Sequence, residues 1–222
     1  MNADDVAEYL KANPIFFERY AELLSTIQVA NPHGGRAIAL SDRQVLALRE
    51  ENRKLAAKLK EVIDFGEDNM ARSDKMQRLS VALLEARDVA AFLSSLYLHL
   101  REDFAIPHVA MRVWKEIDRD GSARPEFEPV SDALKDYASG LEHPYCGPSG
   151  NVEAVALFGD AASHVRSVGL LALRAGGPAV DRPYFGILAL GSEEVLRFHP
   201  DMDTLYQTRL AELVSAGLAR LL

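Results

Sequence analysis

The sequence predicts an α+β protein: a helical N-terminal part, one very long helix, and an antiparallel sheet with flanking helices. Three observations lead there. Residues 41–104 contain no proline, and their apolar residues recur at helical spacing. Residues 108–114, 168–174 and 184–191 instead alternate or form short unbroken apolar runs, as strands do. Residues 201–222 return to helical spacing, with Tyr206, Leu210, Leu213, Val214, Gly217, Leu218 and Leu221 on one side. A helix, a strand, a middle helix, an antiparallel pair and a closing helix together make an α+β plan.

Residues 4–12 read as a short helix, with Val6, Tyr9 and Leu10 on one side. Asn13-Pro14 interrupts it and supplies an N-cap and a first-turn proline for a second helix. In that second helix Phe16, Phe17, Tyr20, Leu23, Leu24 and Ile27 share a face. With the loop "NPHGG" at 31–35, residues 1–35 form a helical hairpin too small to bury its aromatic face alone. That face needs the rest of the chain or a second copy.

Residues 36–104 are read as one long helical segment. Val45, Leu48, Asn52, Leu55, Leu59 and Val62 are three and four residues apart, a coiled-coil seam with Asn52 at a core position. A lone core Asn costs stability, fixes register and favours a parallel two-stranded pairing. The expected partner is therefore a second copy, a homodimer through the long helix. One amphipathic helix packed inside a monomer is the plainer alternative. The pattern weakens over 66–74 and resumes at Leu79, so the end of the long helix, about 78–104, is read as the first helix of the domain at 105–222.

Within 105–222, "HVAMRVW" sets Val109, Met111 and Val113 on one face and Ala110, Arg112 and Trp114 on the other. Residues 118–125 read as a turn, and 126–130 as an edge strand because of its proline neighbours. Residues 131–139 read as a short helix and 140–151 as a loop. "VEAVALF" gives a mixed signal, and 160–167 reads as a helical turn. The runs "VGLLALR" and "YFGILALG" are central strands buried on both faces, joined by "AGGPAVDRP".

Composition narrows the class. In 222 residues, 48% apolar and 26% charged content is that of a globular protein. A net charge of -8 argues against a chain built to wrap nucleic acid. One cysteine, Cys146, excludes an internal disulfide framework and a cysteine zinc cluster, and fits a reducing compartment. The acidic start "MNADDVAEYL" does not read as a secretory signal, and no run approaches the roughly 18–20 apolar residues of a membrane span. A cytoplasmic location is expected, without membrane or direct nucleic-acid contact.

The stretch "GLLALRAGGPAVDRPYFGILALGSEEVLRFHPDMDTLYQTRLAELVSAGLARLL" resembles the C-terminal half of a GAF domain, a small-molecule sensing fold related to PAS. "VAEYLKANPIFFERYAELLSTIQV", the "GG" loop and "LSDRQVLALREENRKLAAKL" extend the likeness to a bacterial GAF-like family, the domain of unknown function 484. The resemblance covers almost the whole chain and implies a signalling or regulatory module without a defined chemistry. The asparagine–lysine–phenylalanine–aspartate–glutamate signature of cyclic-nucleotide GAF domains has no counterpart here. A single cysteine does not match the thiol pair of GAF-type sulfoxide reductases.

Glu193, Glu194, His199, Asp201 and Asp203 first suggest a metal or acid–base site. Their context reads better as a strand end followed by a helix start, with the acidic residues at the positive end of the helix dipole and Phe198 anchoring the turn. Cys146 lies near His143 and Tyr145, but no third group orients a thiolate base pair. No catalytic or metal residue is assigned, no cofactor is identified, and the chain is expected not to be an enzyme. On the GAF resemblance, the sheet face of Arg112 and Trp114 is the ligand side. Arg112, Trp114, Phe127, Tyr145 and Cys146 are its pocket candidates, for a carboxylate, a phosphate or a planar ring. The alternative is that Arg112 pairs with a surface Glu while Trp114 fills core, leaving a scaffold that works through a protein partner.

Overall fold

The computed structural model describes residues 2–29, 38–114, 124–150, 152–175 and 183–222. The loop expected at 31–35, residues 118–123 of the expected turn and most of the 175–183 connection lie outside the described residues. The chain divides into two compact units, Met1–Asn69 and Met70–Leu222.

In the first unit, α1 (Ala3–Ala12) starts with a capping box. The Asp4 backbone N–H donates to Asn2 Oδ1 at 2.6 Å, and the Asn2 N–H donates to Asp5 Oδ2 at 2.7 Å. The second helix expected from Pro14 is in fact two, α2 (Ile15–Arg19) and α3 (Ala21–Thr26), separated at Tyr20 with φ -121 and ψ 42. It then gives way to β1 (Gln28–Val29), which pairs antiparallel with β2 (Ile38–Ala39). The β-branched Thr26, Ile27 and Val29 favour that extended ending.

The long helix α4 (Leu40–Glu85) runs unbroken through 66–74, where its sequence pattern is weakest. The break comes later, and the expected single helix to residue 104 is corrected there: α5 (Val89–Glu102) is a separate helix. Asp88 leaves the helical region and its Oδ1 accepts from the Ala91 N–H at 2.7 Å, an N-cap. The carbonyls ending α4 are satisfied by Arg220, which donates to Ala86 O at 2.9 Å and to Leu83 O and Leu84 O at 3.4 Å.

The second unit is built on a four-stranded antiparallel sheet of β3 (His108–Val113), β4 (Tyr145–Pro148), β5 (Ser167–Arg174) and β6 (Tyr184–Ser192), in the order β3-β6-β5-β4. β4 occupies a stretch expected to be loop. The expected strand at 126–130 is instead a 3-10 turn, Pro125–Phe127, followed by α6 (Asp132–Ser139) with Ser131 as its N-cap. Residues 152–163 form α7 (Val152–Ala156) and a 3-10 turn, Gly159–Ser163. The closing helix, α8 (Leu205–Leu221), starts four residues later than expected.

Alternation along the strands feeds two cores. Met111, Val113, Leu171, Leu173, Leu188 and Leu190 pack with α5, α8 and the end of α4, around a fully buried Phe92. Ala110, Val168, Leu170, Ile187 and Ala189 pack with Leu134 and Ala138 of α6 and Ala154 of α7. A bulge between Leu173 and Arg174 leaves Phe185 outside the pairing register and turns it to the first core.

Candidate functional site

On α4, the six seam positions fall within an arc of about 100° at the helical repeat. Val45, Leu48, Leu55, Leu59 and Val62 are 45%, 64%, 61%, 62% and 66% exposed, and Asn52 is exposed among them. Arg49 and Arg53, exposed as well, stand beside Val45, Leu48 and Asn52 on the same helix. Burying one such leucine is worth about 1.5–3 kcal/mol. Arg53 pairs with Glu50 at 3.0 Å and Lys60 with Asp64 at 2.6 Å, exposed pairs along the helix that leave the seam itself uncovered.

The five pocket candidates occupy four places. Arg112 Nη1 donates to Met111 O at 3.0 Å and Nη2 lies 3.4 Å from Glu128 Oε2. Phe127, one residue before Glu128, packs on the Phe92 core. The same turn presents Glu126, whose Oε1 accepts from the Tyr97 hydroxyl at 2.8 Å. Burial, reinforced by that carboxylate, pushes the Tyr97 phenol well above its ordinary range. This Tyr97–Glu126 link, between α5 and the turn, was not visible in the sequence, because nothing local marks a 29-residue contact.

Trp114 and Tyr145 both face the Ala110–Ile187 core, at opposite edges of the sheet. Trp114 Nε1 donates to Tyr184 O at 3.0 Å. Tyr145 aligns with Leu170, Ala189 and Ala110 across the sheet, three strand spacings or roughly 14 Å. Trp114 lies a further four residues beyond Ala110. Cys146, the next residue after Tyr145, turns to the other core and is buried. The structure thus brings Arg112 and Phe127 together through one turn and holds Trp114, Tyr145 and Cys146 apart.

Burial alone raises the Cys146 thiol from 9.0 to about 11. The neutral thiol is favoured in the folded chain, so this group's stabilisation is full below pH 9 and is lost as pH rises towards 11. Unfolding by urea at pH 8 and pH 10.5 checks this: the stability lost over that interval should be smaller in Cys146→Ala than in the natural chain.

The residues 193–203 do not converge. Glu193, Glu194, Asp201 and Asp203 are exposed, and among the described residues no group of three or more His, Cys, Asp or Glu side chains is placed to hold a metal. Glu193 Oε1 lies 3.5 Å from His108 Nε2, an ion-pair distance without hydrogen-bond geometry. The helix start expected at Asp201 is corrected: Met202 N–H closes a turn onto His199 O, and Asp203 Oδ1 accepts from the Leu205 N–H at 2.9 Å. The fully buried Ser167 secures the turn, donating to Glu194 O at 2.6 Å and accepting from the Phe198 N–H at 3.3 Å.

These features define an α+β domain on a four-stranded antiparallel sheet, in a chain that also carries a long helix with an exposed apolar seam. The chain belongs to the family described as "Protein of unknown function, DUF484", whose model matches residues 1–222. No curated protein matches it. Among solved structures it is similar to the GAF domain of A. aeolicus nlh2, described as being in an inactive state. Identity is 9%, the TM-score is 0.43, and the match covers 68% of this chain and 96% of that chain. Among the described residues no helix is long and apolar enough to cross a membrane.

Proposed function

We propose that this chain is a non-catalytic, homodimeric regulatory module of the cytoplasm. In this reading α4 self-associates as a parallel two-stranded coiled coil, and the GAF-like domain responds to a small molecule on the Arg112 side of its sheet. The observation that carries the reading is the exposed seam from Val45 to Val62 with one polar position, Asn52. A monomer gains nothing from that row of side chains in water; a pair of α4 helices buries it. Replacing Asn52 by Leu removes the polar register pin. Association should tighten by about 1–3 kcal/mol while the dimer gives way to a mixture of oligomers. Native mass spectrometry reads both effects, and an unchanged, purely dimeric spectrum would sink the seam.

A second reading, a scaffold working through a protein partner, is favoured by one observation. Trp114 gives its one donor to Tyr184 O, and Arg112 turns one N–H to Met111 O and another towards Glu128, so both residues are engaged by the protein itself. A small molecule that copurifies at near-stoichiometric level in the native mass spectrum, and is lost in Arg112→Ala, decides for the sensor. The chain mass alone decides for the scaffold.

A further inference from the structure

The first unit is unfinished as a single chain. Of the residues in Met1–Asn69 whose side chains are described, none is buried. Val6, Tyr9, Ile15, Phe17, Tyr20 and Ile27 of the N-terminal segment are between 37% and 64% exposed. Apolar surface on that scale is covered by something. The α4 seam is short for a dimer held by itself. Val45 to Val62 is under three heptads, and the next core positions are Gly66, Asn69 and Ser73.

Charge identifies what covers both surfaces. Residues 2–29 carry Asp4, Asp5, Glu8, Glu18 and Glu22 against Lys11 and Arg19, a net charge of -3. Residues 40–60 carry Arg43, Arg49, Arg53, Lys54, Lys58 and Lys60 against Asp42, Glu50 and Glu51, a net charge of +3. Parallel pairing sets residues 40–60 of one α4, at +3, beside the same +3 segment of the other, which local repulsion opposes. The acidic N-terminal helices offset that charge and bring the apolar area the seam lacks. Within one chain both apolar surfaces stay in water although the β1–β2 pairing links their segments, so the cover comes from the other copy.

We infer that α1–α3 of one chain pack on the basic first half of α4 of a second copy, so that each N-terminal segment completes the dimer in trans. This rests on the dimer reading above and adds the partner surface to it. The exposed face of α4 that carries Val45, Leu48 and Asn52, with the cationic Arg49 and Arg53 beside them, is the receiving surface. Glu8 and Glu18, both exposed, supply the facing carboxylates.

The test is a charge swap in the full chain, read as dimer dissociation constants by analytical ultracentrifugation at low salt. E8K/E18K takes the N-terminal segment from -3 to +1, and R49E/R53E takes residues 40–60 from +3 to -1. E8K/E18K alone should dimerise about tenfold more weakly. An equimolar mixture of the two variants should form heterodimers with affinity within about twofold of the natural dimer, because both trans contacts are then complementary. A contact made within each chain stays mismatched on mixing, so a mixture that recovers nothing overturns the proposal. So does E8K/E18K with unchanged affinity. A natural chain that is itself monomeric overturns the dimer reading beneath it, an outcome distinct from a dimer without rescue.

Discussion

Leu55→Glu combined with Leu59→Glu is expected to weaken self-association of the full chain by roughly a thousandfold or more, which leaves monomer at micromolar concentration. The double change removes four leucines from the paired seam and places four carboxylates against one another. Each leucine accounts for about 1.5–3 kcal/mol of burial, so even partial loss exceeds the 4.1 kcal/mol of a thousandfold change. Both residues are more than 60% exposed in the single chain and lie in Met1–Asn69. The core of Met70–Leu222 should therefore keep its near-ultraviolet circular dichroism. A variant that stays dimeric would show that the interface lies elsewhere; one that loses the domain signal would show that the seam belongs to a monomer core.

The second large effect lies in the domain core. Phe92→Ala should destabilise Met70–Leu222 by about 3–5 kcal/mol, since Phe92 is completely buried at the junction of α5 and α8. Its ring sits where α8 comes closest: a Cβ at Gly217 would lie 2.4 Å from Phe92 Cε2. Gly217→Ala should accordingly cost about 1–3 kcal/mol despite the better helix propensity of alanine. In the Phe92→Ala background the same change should cost nothing, or gain up to about 1 kcal/mol, because the obstruction has gone. Urea titrations of the four chains give the cycle, and a Gly217→Ala penalty equal in both backgrounds would refute this packing.

The sequence carries the central architecture plainly and the edges poorly, for physical reasons. β5 and β6 are buried on both faces, so their apolar runs are unbroken and legible. β4 is an edge strand of four residues that includes Gly147 and Pro148, and such a composition reads as loop although an edge tolerates it. The break between α4 and α5 has no glycine or proline to announce it. It depends on the Asp88 cap and on Arg220, whose carbonyl partner Ala86 is 134 residues away. His199-Pro200-Asp201 imitates a helix start, but Asp203 takes the first free N–H and the helix follows from there.

The candidate site was legible to the same degree. Period two placed Ala110 and Trp114 on one face and Met111 and Val113 on the other, as found. The alternative that Arg112 pairs with a surface Glu fits its 3.4 Å approach to the exposed Glu128; which Glu could not be read, because residues 126–130 resemble an edge strand and the structure makes Pro125–Phe127 a turn. Nor could the sequence tell that Tyr145 and Trp114 stand at opposite edges. That separation follows from the strand order, with β6 and β5 between them, which pairing alone determines.

The most direct test of the central claim is sedimentation equilibrium of the unmodified full chain at micromolar concentration. The seam predicts the mass of two 24.5 kDa chains. A single species at the mass of one chain, unchanged as concentration rises, would contradict it.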